Sequence, residues 1–278
     1  MSKYEQIKDL KDEEFRRLTG VKKATFVRMV KVYETALNKL KKLSGRPSVL
    51  SLADHVLMML EYNREYRSYF HIAQSYGLHE ANAYRCIKRV EELLLRSGEF
   101  SLPGRKALQD EAAMNEKVIV VDATETEVER PKKKQRRYYS GKKKHHHLKT
   151  QVVIDQQTGK IFCTAFANGR QHDFALFQQS NLEIAEGVKL LADSGYQGIH
   201  RLHSNAVIPK KSSKHKPLSA EEKQENRALS KLRIKVENVI ATIKRFKVFS
   251  TRYRNRRRRF GLRFNLFAAI CNFELSLS

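Results

Sequence analysis

The sequence predicts an α/β domain preceded by an all-helical domain, and two observations lead to this fold class. Up to about Leu95, apolar residues recur every three or four positions, which is the spacing of amphipathic helices. After about residue 115, the apolar residues instead form short runs separated by turn residues, as buried strands do. We therefore expect a helical domain at 1–97, a polar linker at 98–115 and an α/β domain at 116–278.

The helical domain contains a pattern typical of a helix-turn-helix. A first helical unit is expected to end at Gly45-Arg46-Pro47, and Ser51 is expected to cap the next helix. Within residues 72–87, the small residue Ala73 stands where the two helices of such a motif cross, and Gly77 stands in the turn between them. The second helix would expose polar side chains suited to contacts with phosphates and base edges, namely Glu80, Asn82, Arg85, Lys88 and Arg89. An ordinary helical hairpin with a solvated basic face is the alternative.

The α/β domain is expected to follow the order strand, hairpin, helix, strand, helix. Its strands are predicted at 118–121, 148–154, 161–167 and 188–192. One helix is expected from about Asp173 and a long one at about 219–246. The apolar segment 264–277 is expected to pack beneath the sheet.

The charge of the chain indicates a polyanionic partner. Lys and Arg number 55 against 30 Asp and Glu, which gives a formal net charge of +25. Because the basic residues form several clusters along the chain, nucleic acid is favoured over a membrane surface. The sequence has no apolar run near the roughly 18 residues of a membrane span and no signal-peptide core, so we expect a soluble cytoplasmic protein. The three cysteines lie far apart, which argues against a disulfide framework or a zinc knuckle.

Three carboxylates occupy positions that suit metal-dependent chemistry. Asp122 ends the first predicted strand, Asp193 follows the fourth, and Glu237 lies on the long helix. A single Asp after a strand is usually a turn or cap residue, but neighbouring strands would project two of them side by side. With Glu237 returning on a helix across the sheet, the three could hold two divalent cations about 3.5–4 Å apart, shared by Asp122. Such a pair of cations cuts and joins phosphodiesters.

Other acids near these positions have simpler interpretations. Asp173 is expected to cap the helix that follows it, with direct metal contact as the alternative. Glu125 and Glu127 alternate with Asp122 along an extended segment and are expected to pair with neighbouring Lys or Arg.

The histidine run 145–147 predicts a DNA-facing turn rather than a metal site. Consecutive side chains in a strand point to opposite faces, so three in a row cannot converge on one ion. His146 is the best candidate for a phosphate contact. Arg233 shares a helical face with Glu237, where it either neutralises the scissile phosphate or pairs with the Glu.

The remaining basic runs predict DNA contacts, with a solvated face or tail as the alternative. Arg and Lys clamp phosphates, and the interleaved rings of Tyr138, Tyr139 and Tyr253 can stack on unpaired bases. The predicted contacts are Lys132, Lys133, Lys134, Arg136, Arg137, Lys142, Lys143, Lys144, Lys210 and Lys211 with Lys214 and Lys216, and Arg254, Arg256, Arg257, Arg258 and Arg259.

The ordered motifs of the chain resemble those of the DDE transposases of bacterial insertion sequences, most closely the insertion sequence five group, which is related to the Harbinger transposases. The motifs are Val121-Asp122-Ala123-Thr124-Glu125, Tyr138-Tyr139-Ser140-Gly141-Lys142-Lys143-Lys144, Gly169-Arg170-Gln171-His172-Asp173, Asp193-Ser194-Gly195-Tyr196-Gln197-Gly198 and Arg233-Ile234-Lys235-Val236-Glu237-Asn238. One departure is His147, which stands where the family more often has Thr.

This resemblance implies a ribonuclease-H-like catalytic domain with a mixed sheet flanked by helices. It also implies two Mg2+ ions per active site, for which Mn2+ would substitute, and an N-terminal domain that recognises terminal inverted repeats. The expected protein is a transposase that cleaves the ends of its element and joins the 3′ ends to target DNA in the bacterial nucleoid. We expect a homodimer or higher oligomer on DNA, because two element ends are held at once. The alternatives are a stand-alone metal-dependent endonuclease and an inactive DNA-binding regulator.

Overall fold

The computed structural model of the chain describes residues 2–40, 48–141, 143–213 and 217–277. The chain divides into two compact units. The first unit comprises Met1–Ser101, Ile243–Thr251 and Asn255–Ser278, and the second comprises Leu102–Thr242 and Arg252–Arg254. The expected end of the first helical unit at Gly45-Arg46-Pro47 lies outside the described residues.

The secondary structure follows the predicted order of helices first and a mixture of strands and helices afterwards. The α-helices are Lys3–Ile7 (α1), Asp12–Thr19 (α2), Lys23–Lys39 (α3), Leu52–Glu65 (α4), Tyr69–Ser75 (α5), Glu80–Arg96 (α6), Glu111–Met114 (α7), Asp173–Gln179 (α8), Ala220–Lys244 (α9), Lys247–Ser250 (α10) and Phe260–Ser276 (α11). The strands are Val118–Glu127 (β1), Tyr139–Ser140 (β2), His145–Asp155 (β3), Ile161–Asn168 (β4), Lys189–Leu191 (β5) and Ala206–Val207 (β6).

Helix α4 forms the centre of the first unit and is buried on every side. Its residues from Val56 to Leu60 are all fully buried, and α2, α3, α6 and α10 pack around it. Its start agrees with the sequence prediction, because the Ser51 hydroxyl accepts a hydrogen bond from the Asp54 backbone N–H at 3.0 Å. Such a cap satisfies one of the free donors at a helix start.

Helices α5 and α6 have the predicted helix-turn-helix arrangement. Ala73 is fully buried, and Gly77 has a φ of +62° in the turn, a conformation that favours glycine. Ala83 and Ile87 are buried, so the opposite face of α6 is open to solvent. Of the predicted base-reading set, Asn82, Arg85 and Arg89 are exposed, whereas Lys88 is half-buried with its ammonium 4.0 Å from Glu92.

Arg259 is half-buried and pairs with acids of the first unit, which corrects its assignment to the DNA-binding arginine run. Its guanidinium donates to Glu91 at 2.8 Å and to Glu92 at 2.7 Å. Arg263 donates to the other oxygen of Glu91 at 2.7 Å, and both Glu91 and Arg263 are buried. A buried carboxylate needs such charge-assisted partners, so Arg259 is already occupied within the fold.

Helix α11 also differs from its expected place. The apolar segment 264–277 was expected beneath the sheet, but it packs in the first unit, where α11 contacts α3 and α6. The rings of Phe260, Phe264 and Phe267 surround Phe249 at centroid distances of 5.2 to 6.0 Å. The sequence shows that this helix is apolar all round, but not which of two cores it completes.

In the second unit, the sheet has the order β2, β3, β1, β5, β6, with β4 paired to the other part of β3. Strand β3 is antiparallel to both of its neighbours β1 and β4, whereas β5 pairs parallel to β1, and β6 pairs parallel to β5. Ile119 and Val121 face a core with Phe177 and Tyr196. The predicted fold class, a helical domain followed by a mixed sheet flanked by helices, is therefore confirmed.

We predict that the arginine run divides into structural and surface members. Replacing Arg259 with Gln should lower the free energy of unfolding by about 2 kcal/mol, because Glu91 is deprived of one of its charged partners. Replacing the exposed Arg256 and Arg258 together should leave stability unchanged. That double variant should instead reduce the slope of log DNA affinity against log salt by roughly 0.9 for each phosphate that is no longer neutralised.

Thermal denaturation and DNA titrations at several salt concentrations test this division. A variant at Arg259 that keeps the parent's melting temperature but has a weaker salt dependence would contradict the structural role of this residue. An unchanged slope in the double variant would remove Arg256 and Arg258 from the DNA-binding surface.

Candidate active site

The register of β1 and β5 places Asp122 and Asp193 at the same level of the sheet. The two strands are parallel and neighbouring, and their last paired residues are Val120 and Leu191. Asp122 and Asp193 each follow two residues later. Because side chains alternate between faces along an extended strand, residues with the same offset point to the same face. The sheet therefore brings together the two acids that the sequence pattern predicts.

Asp122 is a largely buried carboxylate with excess negative charge around it. Burial raises the pKa of Asp122 to about 6, and the nearby charges of Asp193 and Asp173 also raise it. A hydrogen bond from the Ala123 backbone N–H at 2.8 Å and the Arg233 guanidinium at 3.8 Å act in the opposite direction. A cation bound beside Asp122 would stabilise the charged form of this carboxylate, so the surplus of negative charge around Asp122 favours cation binding.

Gly195 lets Asp193 and Asp173 approach each other. The backbone N–H of Gly195 donates to Asp193 Oδ1 at 2.7 Å. A Cβ atom at position 195 would lie 2.9 Å from Asp193 Oδ1 and 2.8 Å from Asp173 Oδ2. Both distances are shorter than normal contacts, so only glycine leaves these oxygens where they are.

Asp173 has a different role from the one expected. Helix α8 begins at Asp173, and His172 has the cap position, so the carboxylate does not cap the helix. It instead accepts a hydrogen bond at 2.7 Å from the ammonium of Lys149, a buried residue on β3. Lys149 also lies 3.7 Å from Glu125, which pairs in turn with Lys143 at 3.1 Å. The expectation that Glu125 pairs with basic neighbours is confirmed.

Helix α9 presents Arg233 to Asp122. The side chain of Gln156 donates to the carbonyl of Leu232 at 3.4 Å and fixes this part of α9 against the end of β3. The acid that Arg233 faces is Asp122, at 3.8 Å, rather than Glu237, and its expected contact with a phosphate stays a prediction. Glu237 lies one turn further along α9 and is exposed. Its part in the site stays a prediction.

Asp122 and Asp193 fit a divalent cation whose remaining ligands are waters and substrate phosphates rather than further acidic side chains. Asp122 and Asp193 supply the hard oxygens that such cations prefer, whereas Lys149 neutralises Asp173. The Tyr196 hydroxyl and Arg233 Nε are buried there, and no hydrogen-bond partner is found for either within the described part of the chain. In that same part of the chain, no three Asp, Glu, His or Cys side chains converge to hold an ion by themselves. Mg2+ is commonly held by one or two carboxylates, with waters and substrate phosphates completing its shell.

The histidine run was expected in a turn, but it forms the start of strand β3, where it pairs with β2. His145 is exposed, His146 is half-buried, and His147 is buried with its Nδ1 3.1 Å from the carbonyl of His145. His146 pairs across the strands with Tyr139, and their rings meet edge to face at 5.5 Å. This ring pair lines a cavity of about 540 Å3 together with Arg130, Arg136 and Arg170.

The other predicted DNA contacts of the second unit lie mostly on its surface. The exposed members are Lys132, Lys133, Lys134, Arg136, Arg137, Lys143, Lys144, Lys210, Lys211 and Arg254. Lys210 pairs with Glu225 at 2.9 Å, and Lys143 pairs with Glu125, so each contacts an acid within the fold. Lys142, Lys214 and Lys216 lie outside the described residues. Of the predicted arginine run, Arg256, Arg257 and Arg258 belong to the first unit and are exposed.

Sequence reasoning did not identify Lys149, Gly195 or Tyr196 as parts of the site. Lys149 follows the histidine run, and only its burial opposite Glu125 distinguishes it from the other lysines. Gly195 and Tyr196 follow Asp193 by two and three positions in the sequence. Their closeness to a predicted metal ligand was the signal that could have identified them.

Comparisons with known proteins identify the family of the chain. Residues 121–272 match a family model described as the DDE superfamily endonuclease, and residues 48–100 match the helix-turn-helix of DDE superfamily endonuclease. The chain is 45% identical over 275 residues, 99% of each chain, to a probable transposase for insertion sequence element IS702 from Microchaete diplosiphon. No solved structure matches the chain. None of the helices that the structure describes is long and apolar enough to cross a membrane.

We predict that Gly195→Ala disrupts the site. The new methyl group would press on both carboxylates, so Mn2+ binding should weaken at least tenfold, as for changes that misplace metal ligands. Gly187→Ala is the matched control, because a Cβ there meets no atom within 4 Å. Calorimetric titration of both variants with Mn2+ provides the measurement. Equal affinity in the two variants would show that the glycine is not needed between the acids.

The raised pKa of Asp122 predicts a pH-dependent gain of stability in Asp122→Asn. A raised pKa means that protonation favours the fold, so this contribution is complete below the ordinary value of 3.8 and is lost as pH rises through about 6. With excess EDTA present, the variant should therefore be more stable than the parent near pH 7, by up to about 3 kcal/mol. The difference should vanish below about pH 4.

Asp155→Asn is the control of opposite sign for this stability measurement. Hydrogen bonds from Thr158 and Lys117 hold the pKa of Asp155 below its ordinary value despite burial. Its charge therefore stabilises the fold at neutral pH, and the variant should be less stable there. Urea unfolding between about pH 4 and pH 7 distinguishes the two acids. If Asp122→Asn is also destabilised near pH 7, the charge around Asp122 is already compensated.

Proposed function

Because the chain belongs to the DDE superfamily of endonucleases, we propose that it is the transposase of a bacterial insertion sequence. It would bind the terminal inverted repeats of its element, cleave the element ends and join the 3′ ends to target DNA. The observation that carries this proposal is the position of Asp122 on β1 at the level of Asp193, which follows the adjacent parallel strand β5, with Arg233 beside Asp122. The full-length similarity to a probable insertion-sequence transposase supports it.

The helical unit would supply recognition of the element ends. Helix α6 has a solvent-facing side with Asn82, Arg85 and Arg89, whose side chains can reach base edges and phosphates. The match of 48–100 to a helix-turn-helix model supports this assignment. The formal charge of +25 would draw the protein to DNA, whereas the few contacts to base edges would set the sequence preference.

In the second unit, Asp122 and Asp193 would hold divalent cations, with Glu237 proposed as the third acid. Mg2+ is the expected metal and Mn2+ a substitute, and when bound they supply an activated water or 3′-hydroxyl and a stabilised leaving oxygen. Arg233 would keep Asp122 ionised in its buried position and, through its Nε, which has no hydrogen-bond partner within the described residues, could donate to a phosphate oxygen of the DNA. Lys149 would hold Asp173 away from the cations through their hydrogen bond.

A transposase has to bring two ends of its element together before joining them to a target. We therefore propose that the chain works as a homodimer or higher oligomer on DNA. The basic surface of the second unit, including Lys132, Lys133 and Lys134, would contact the DNA beside the cleaved end.

We predict that Asp122→Asn, Asp193→Asn and Glu237→Gln each reduce cleavage at least 100-fold while DNA binding survives. The neutral amides keep the shape of the side chain but lack the charge that holds a divalent cation. Asp110→Asn is the matched control, because Asp110 caps α7 and Asn caps helices equally well.

The measurement uses labelled DNA fragments that carry the inverted repeats flanking the gene, incubated with Mg2+ or Mn2+. Cleavage by any of the three variants within about tenfold of the parent would remove that residue from the active site. Cleaved 3′ ends without insertion into a target plasmid would indicate that the protein is an endonuclease and not a transposase. Binding without cleavage by the parent would indicate a DNA-binding regulator.

A further inference from the structure

A cavity of about 540 Å3 in the second unit combines three arginines with two planar rings. The arginines are Arg130, Arg136 and Arg170, and the rings are those of Tyr139 and His146. We call this site the arginine cavity. Its volume lies within the range of about 300 to 1,000 Å3 that is usual for the binding sites of small ligands. The cavity is therefore suited in size to one small molecule or to one unit of a polymer.

Backbone hydrogen bonds hold the walls of the arginine cavity together. The Tyr138 carbonyl accepts from the His147 N–H at 2.8 Å, and the Arg170 N–H donates to the Arg137 carbonyl at 3.2 Å. Gly169 donates to the His147 carbonyl at 2.9 Å, and a Cβ atom at this glycine would lie 2.8 Å from the carbonyl oxygens of both Tyr138 and His147. Such short contacts would force the backbone apart, so only glycine lets these segments meet.

The three guanidiniums of the arginine cavity are positive charges that the fold does not neutralise. In the part of the chain that the structure describes, no carboxylate lies within 4.0 Å of Arg130, Arg136 or Arg170. Arg130 is held by a neutral group instead, because its Nε donates to Gln135 Oε1 at 3.0 Å. Like charges in one cavity repel each other, so an anionic ligand would stabilise the arrangement. Guanidinium groups suit phosphates in particular, because their paired N–H groups match two phosphate oxygens.

Tyr139 supplies the ring on which a base can stack. Of the three tyrosines predicted to stack on unpaired bases, Tyr253 is buried, which corrects its assignment, and Tyr138 is half-buried. Tyr139 is 42% exposed, and its ring meets that of His146 edge to face at a centroid distance of 5.5 Å. A ring that is both supported and exposed can stack on a base. Because the bases of a duplex already stack on one another, this contact favours an unpaired nucleotide.

The arginine cavity is separate from the cation centre. Both lie along the path of β1, in which Asp122 precedes Val128 by six residues. The Val128 N–H donates to the carbonyl of His146, a lining residue of the cavity, at 2.8 Å. At a rise of about 3.3 Å per residue, Asp122 and this end of the cavity are roughly 20 Å apart. A nucleotide in the cavity is therefore not the one on which the cations act.

We propose that the arginine cavity binds one unpaired nucleotide of the bound DNA, with its base stacked on Tyr139 and its phosphates held by Arg130, Arg136 and Arg170. The inference rests on the proposed function, which supplies DNA as the ligand, and it adds a site for single-stranded DNA away from the cations. Arg130 and Arg170 lie outside the basic runs of the sequence, and only the fold brings them to Arg136 and Tyr139. The combination of phosphate-binding groups with a stacking ring matches one nucleotide and no simpler anion.

DNA binding by the full chain in EDTA tests this site without any need for cleavage. Two duplexes of the same sequence carry a short single-stranded tail, which consists of ordinary nucleotides in one and of abasic sites with the same phosphates in the other. The parent should bind the ordinary tail about tenfold more tightly, because only that tail has bases to stack on a ring. Fluorescence anisotropy measures both affinities. Equal affinity of the parent for the two tails would overturn the proposal.

Two variants at Tyr139 test the contact with the base. Tyr139→Leu should bind the two tails with equal affinity, because it lacks the ring. Tyr139→Phe keeps the ring and should keep the parent's preference for the ordinary tail. Melting curves of both variants show whether the fold is intact. If a folded Tyr139→Leu variant still prefers the ordinary tail, another ring stacks on the base and the proposal is wrong.

Arg170→Gln tests the contact with the phosphates, with Arg201→Gln as the matched control. Both arginines are exposed residues of the second unit, and each change lowers the net charge by the same amount. Arg201 does not line the cavity. Arg170→Gln should bind both tails about tenfold more weakly than the parent, because a charge-assisted hydrogen bond to a phosphate is lost. If Arg201→Gln weakens binding equally, Arg170 acts only through net charge, which would contradict a phosphate contact in the cavity.

Asp122→Asn separates failure of this inference from failure of the proposed function. Because the cavity is remote from the cation centre, this variant should keep the parent's preference for the ordinary tail while it no longer cleaves DNA. If Asp122→Asn cleaves as the parent does, the proposed active site is wrong, whereas the tail preference still supports the cavity. If Asp122→Asn no longer cleaves and the parent shows no tail preference, only the inference about the cavity is overturned.

Discussion

The parallel pairing of β1 with β5 is the constraint on which the site depends. Asp122 and Asp193 are 71 positions apart in the sequence, and only the register that pairs Val120 with Leu191 puts them at one level. A shift of one residue would turn one of the two carboxylates to the opposite face. The antiparallel pairing of β1 with β3 and the core around Ile119 and Val121 fix β1 against such a shift.

The site concentrates negative charge in a strongly basic protein, and the fold compensates for this unevenly. Lys149 pairs with Asp173 by a short hydrogen bond, whereas Arg233 stays 3.8 Å from Asp122. Burial therefore leaves Asp122 with a raised pKa, although Asp155 in the same unit has a lowered one. A fully neutralised Asp122 would make a more stable protein but a poorer cation ligand. Such local conflicts with stability are expected at functional sites.

Where local pattern decides the structure, the sequence was sufficient to predict it. The Ser51 cap, the Gly77 turn, the strand that carries Asp122 and the strand that precedes Asp193 depend on neighbouring residues. Strand β1 nevertheless runs six residues beyond its predicted end, because Asp122–Glu127 is polar in sequence but paired along its length with β3. Distant partners were not predictable in the same way. The Lys149–Asp173 bond links two elements, and only the folded sheet brings them together.

The arginines after residue 250 show why a basic run does not by itself define a DNA-binding surface. Arg259 stands in the same run as Arg256 and Arg258, yet its partner Glu91 lies 168 positions away in sequence. In water, any of these side chains could meet a phosphate, but a guanidinium that satisfies a buried carboxylate cannot leave it without exposing an unpaired charge in the interior. Burial of the acid therefore decides which arginine is structural. The DNA field of this protein comes from the basic residues that the fold leaves on its surface, and net charge alone overstates it.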